Sequence, residues 1–72
     1  KQKATTWQVK ARMLARDLNR NDVADKIGFS SRNLYLAMTG RQQFTLDMLL
    51  KLSQLFGCTI EDLLEPIPEQ YK

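Results

Sequence analysis

The chain contains no histidine and a single cysteine, Cys58. Those two shortages leave no zinc site of the usual kind, no internal disulfide and no nucleophile–base constellation. No catalysis, metal or cofactor is therefore expected. A lone thiol, read as structural, suits a reducing compartment, and a cytoplasmic location is the expectation. There is no long apolar run and no signal-peptide pattern, so neither a membrane span nor a membrane partner is expected. Strand signals, internal repeats and low-complexity tracts are also missing. At 72 residues there is room for one small domain with one core, and none for a deep enclosed active site.

What is present is charge, unevenly laid out. Residues 1–41 carry nine Lys/Arg against three Asp, a net of +6, and residues 42–72 carry two Lys against five Asp/Glu, a net of −3. A basic half of this kind is what a polyanion-binding face needs, although small soluble domains often have uneven charge without such a role.

The pattern centres on residues 19–40, NRNDVADKIGFSSRNLYLAMTG. Asn19 is a good helix cap with Asp22 in the first turn. Val23, Ala24 and Ile27 give one apolar stripe, with Ala24 small where a second helix would cross closely. Gly28 sits where a left-handed residue must end that helix. After Phe29, Ser30 caps a second helix with Leu34, Ala37 and Met38 inside and Ser31, Arg32, Asn33, Tyr35 and Leu36 outside. Gly40 ends it.

Before this unit, residues 1–5 read as a basic N-terminal arm. The chain opens on Lys1 rather than Met, as a piece of a longer protein would. Thr5 or Thr6 caps a first helix over about 6–17, with Trp7, Ala11, Leu14 and Leu18 as its inner stripe. Val9 and Met13 form a neighbouring strip, and Lys10, Arg12 and Arg16 lie outside. Trp7 reads as a core or core-edge anchor. After a loop at 41–44, Thr45 caps a fourth helix over about 46–56. Its broad apolar face comprises Leu46, Leu49, Leu50, Leu52, Ser53, Leu55 and Phe56, and Gly57 stops it. Thr59 and Asp62 form a capping box for a short fifth helix over about 60–64. Pro66 and Pro68 forbid its continuation, so 66–72 reads as a C-terminal tail or the start of a linker.

The stretch resembles the helix-turn-helix of the phage-repressor (Cro/cI-like, XRE-type) family. The resemblance extends through GRQQFTLDMLLKLSQLFGCTIEDLL to the family's loop, fourth helix and fifth helix. A helix-turn-helix pattern alone is a weak signal, but with the trailing helices in register it is a strong one. It implies an all-α, compact, five-helix lambda-repressor-like domain over 6–65. It also implies sequence-specific binding to a double-stranded DNA operator by a transcriptional regulator of repressor type, with the helix at about 31–39 in the major groove.

Carried onto this chain, the family pattern gives base contacts to Ser31, Arg32, Asn33, Tyr35 and Leu36, and phosphate contacts to Arg20, Ser30, Thr39, Arg41, Gln42 and Gln43. The residue types suit the chemistry, since Arg bonds guanine bidentately, Asn bonds adenine and Ser meets several edges. Four positions depart from the family. Arg20 stands where Gln often braces the next helix. Leu36 stands where a polar side chain is usual, and a leucine there could touch a thymine methyl, be buried or meet a protein. Met13 and Met38 replace a buried ion pair and read as core, because removing both charges leaves neither unpaired.

Ile60, Leu63, Leu64, Ile67 and Tyr71 are expected to include a weak, self-complementary homodimer contact. The rival reading is a protein-interaction module, or an antitoxin-type autoregulator, that uses Tyr35, Leu36 and the helix-5 cluster to hold an unidentified protein partner.

Overall fold

Four helices begin on a side chain that accepts a hydrogen bond from a backbone N–H three residues on, so the chain is divided locally before anything packs. In the computed structural model, which describes residues 3–71, these are α2 (Arg20–Ile27) capped by Asn19, α3 (Ser31–Met38) by Ser30, α4 (Leu46–Phe56) by Thr45, and α5 (Ile60–Leu64) by Thr59. Asn19–Asp22 and Thr59–Asp62 are reciprocal capping boxes, with the acid accepting a bond from the cap residue's own N–H. α1 (Lys3–Ala15) precedes them and a 3-10 turn (Glu69–Tyr71) follows; no strand occurs among the described residues. The fold is all-helical, as the sequence implied.

The core draws on all five helices. Val9 and Met13 of α1 meet Val23, Ala24 and Ile27 of α2, Leu34 and Ala37 of α3, and Phe44 from the loop. Met48, Leu49, Leu52 and Phe56 of α4 and Leu63 of α5 complete it, with Met38 half-buried at its edge. The paired methionines thus sit in and against the core.

The first helix is where the structure departs most from the sequence pattern. α1 starts at Lys3, so Thr5 and Thr6 lie inside it rather than capping it, and the expected arm over 1–5 is helical from residue 3. Its buried face is Thr5, Gln8, Val9 and Met13, while Leu14 is 83% exposed. Val9 and Met13 are one turn apart and share a direction; Leu14 is turned about 100° from Met13 and leaves the core. Polar Gln8 goes inward with a partner at each end: its Nε2 donates to the distant Glu65 carbonyl at 3.1 Å, and its Oε1 accepts from Arg12, one turn along the same helix, at 2.7 Å.

Arg12 and Arg16 are likewise not free surface charges. Arg16 donates to the Phe56 carbonyl at 2.7 Å and lies over the Phe56 ring at 5.3 Å, a cation at the negative end of α4. On α4, Leu46 and Leu50 are exposed, contrary to their expected place on the apolar face, and buried Met48 belongs there instead.

The tail turns back onto α1, where Tyr71 packs on Trp7 with ring centroids 5.4 Å apart. This changes the standing of the expected dimer cluster. Leu63 is wholly buried and offers no surface to a partner, because a five-residue helix depends on packing its inward side chains. Ile60 packs against the core and Ile67 is half-buried; Leu64 and Tyr71 are exposed. None of the helices among the described residues is long and apolar enough to cross a membrane.

Candidate nucleic-acid interface

The α2–α3 unit is held at its angle by two backbone bonds. Gly28, at φ 78°, lets its own N–H reach the Asp25 carbonyl and the Phe29 N–H reach the Ala24 carbonyl at 3.0 Å. A side chain at Gly28 would resist that left-handed turn. Phe29 then packs against the core, and the Ser30 hydroxyl accepts the Asn33 N–H at 3.0 Å to start α3. The inward faces of α2 and α3 meet through Val23, Ala24, Ile27, Leu34 and Ala37, which leaves the opposite faces to solvent.

On that outer side Arg32 and Asn33 are exposed in the first turn of α3, and Ser31 and Leu36 are half-buried. Tyr35, one turn beyond Ser31, is partly covered by the Arg20 guanidinium, 4.8 Å from its ring centre. Arg20 Nε also donates to Ser31 Oγ at 3.4 Å, so arginine does brace the next helix where the family pattern often has glutamine. The Ser31 hydroxyl donates in turn to Asn21 Oδ1 at 2.5 Å. Arg20, Asn21, Ser31 and Tyr35 are thereby gathered into one cluster spanning both helices. Asn21 was missed by sequence reasoning; only its place beside Arg20, in the first turn of a helix that a serine-capped helix follows, could have drawn attention to it.

The loop after α3 is tied to the helix end. Gly40, at φ 81°, brings Arg41 round so that its N–H reaches the Leu36 carbonyl at 3.0 Å; the Gln42 N–H reaches the same oxygen at 3.2 Å and the Thr39 hydroxyl at 3.2 Å. Leu36 therefore contributes a carbonyl that anchors three donors as well as a half-buried side chain. Thr39, Arg41, Gln42 and Gln43 are all exposed along this segment. Arg20 and Arg32 put positive charge at the first turn of α3, and exposed Arg41 puts it just past the helix's other end. Arg12 and Arg16, which added to the basic count, are occupied by Gln8 and Phe56 instead.

Such an arrangement can meet a regular array of phosphates while presenting donors and acceptors between them. Neither the curated proteins nor the solved structures hold a match to this chain. A family model does: that of the Cro/C1-type HTH DNA-binding domain matches residues 8–69, from the second turn of α1 into the tail, and the chain belongs to that family.

Proposed function

We propose that this domain is a repressor-type transcriptional regulator of the cytoplasm that reads an operator by laying α3 in the major groove. Its family is a DNA-binding, regulatory one rather than a family of enzymes. Arg32 and Asn33, with Ser31, Tyr35 and Leu36 behind them, meet base edges, while Arg20, Ser30, Thr39, Arg41, Gln42 and Gln43 meet phosphates. One observation carries this reading. The first turn of α3 exposes two side chains suited to base edges, with exposed Arg20 bonded to Ser31 beside it and exposed Arg41 just past the helix's other end, on backbone fixed by caps and turns. Two copies would bind half-sites about one helical turn apart. Leu64 and Tyr71 are the exposed residues from which a weak two-fold contact could be built.

Titration of random-sequence duplex DNA at several salt concentrations tests this without knowledge of the operator. The wild type binds with a steep salt dependence, and Arg41→Ala weakens binding to all duplexes alike and lowers the slope by about one. An unchanged slope would remove Arg41 from the phosphate set. No affinity at any salt concentration would favour the protein-interaction reading.

A further inference from the structure

Ser31 opens α3, and its hydroxyl is engaged twice by α2. Oγ–H faces Asn21 Oδ1 at 2.5 Å, and Oγ accepts from Arg20 Nε at 3.4 Å. Asn21 presents its amide oxygen to the Ser31 hydroxyl, so the serine's only proton is directed back onto α2.

A hydroxyl has one proton and two lone pairs. With the proton on Asn21 and one lone pair on Arg20, what remains to face outward is a single acceptor. Arg20 is itself steadied by the Tyr35 ring beneath it, so the second bond is not left to a freely moving side chain.

The major groove presents bases of two kinds to such a group. Adenine and cytosine offer an amino donor, whereas guanine and thymine offer carbonyl acceptors. We infer that Asn21 is a specificity-determining residue that touches no base: by taking the Ser31 proton it makes Ser31 select an amino base, adenine or cytosine, over a keto base at the position it meets. This rests on the proposed reading of the groove by α3. It adds a direction to that reading, because an unconstrained serine can rotate to serve either kind of base.

The test is selection from a random duplex library by the full chain and its variants, with salt-dependent binding to unselected duplex measured alongside. The wild type should prefer an amino over a keto base at one position by about 2- to 10-fold, the worth of one hydrogen bond. Asn21→Leu frees the proton and should bring that ratio near one, with affinity for unselected duplex little changed. Asn21→Asp still accepts the proton, so it should keep the preference while its added negative charge weakens binding to every duplex. Ser31→Ala should erase the preference and so mark the position that Ser31 reads, and Asn21→Ala, which also frees the proton, serves if Asn21→Leu does not fold.

A merely structural Asn21–Ser31 brace predicts a different result: altered melting, with base preference intact in every folded Asn21 variant. That outcome overturns the inference while leaving DNA reading by α3 in place. Loss of all salt-dependent binding by the wild type overturns the reading of this face and the inference with it.

Discussion

Between Asn19 and Gln42 the bonds that shape the backbone join near neighbours: Asn19 to Asp22, Ala24 to Phe29, Ser30 to Asn33, Leu36 to Arg41. Around α1 the corresponding bonds cross the chain. Thr6 donates to the Met38 carbonyl 32 residues on, Arg16 to Phe56 at 40, and Gln8 to Glu65 at 57. The helix-turn-helix is thus specified by local rules, and α1, α5 and the tail form a clamp whose members have meaning only once the chain has closed. A unit that must present side chains at fixed spacing gains from local rules, because caps and turns set where its helices begin and end. The clamp supplies the burial that keeps so small a unit folded.

The sharpest way to break the clamp is Leu63→Ala. Its side chain is fully buried and is the only one α5 buries, so truncation should cost about 2–5 kcal/mol in chemical denaturation. The loss should be the same at all protein concentrations. A loss that varied with concentration would return Leu63 to an intermolecular contact.

On the other side of the comparison, Arg32→Ala and Asn33→Ala should leave melting nearly unchanged. Each should weaken binding to the preferred duplex by about 1–3 kcal/mol and relax selection at particular base pairs. Retention of the wild-type sequence preference by both would move base reading away from the first turn of α3.

The same contrast explains what could be read from sequence. The caps at Asn19, Ser30, Thr45 and Thr59 and the turn glycines are single-residue signals with short-range partners, and α4 and α5 stand where the sequence places them. Periodicity misleads at α1 because it favours the most apolar stripe, whereas Gln8 goes inward on the strength of a carbonyl 57 residues away. The tail looks loose in sequence for a similar reason, since nothing near Tyr71 along the chain announces Trp7. In the candidate interface the positions of the exposed residues were legible. The bonds among them were not, because the Asn21–Ser31 and Arg20–Tyr35 contacts depend on how α2 and α3 cross.

Gln8→Ala sharpens the comparison at smaller scale. It removes the donor to the Glu65 carbonyl and one of the two Gln8 acceptors of Arg12, whose bond to the Gln8 backbone carbonyl remains, and should cost about 1–2 kcal/mol. Trp7 is the sole tryptophan and lies against Tyr71, so its emission reports tail docking. Emission should change at lower denaturant than helicity does, while the salt slope of DNA binding stays the same. A changed slope would show that the clamp governs the interface after all.

The smallest effect is expected at the joint between the two regions. Asp17 is the one described non-glycine residue with positive φ, at 55°, and it ends α1 through Asp17 N–H to the Leu14 carbonyl and Leu18 N–H to the Met13 carbonyl. Two separate penalties meet there. An L-residue is strained in the left-handed region, although aspartate tolerates it better than most. A carboxylate at a helix C-terminus also faces the negative end of the dipole, at roughly 0.3–1 kcal/mol. Asp17→Asn removes the charge and keeps a side chain tolerant of this backbone, so it should stabilise by about 0.5 kcal/mol at low salt, with the gain shrinking as salt rises. Asp17→Gly removes the strain as well, but it loosens the unfolded chain, so its further gain should be slight. If Asp17→Asn proves neutral at low salt while Asp17→Gly stabilises, backbone strain alone operates at the joint. If both substitutions destabilise, the Asp17 carboxylate must hold a stabilising contact in solution, and the turn from α1 into α2 would then be fixed by a side chain rather than by local backbone geometry.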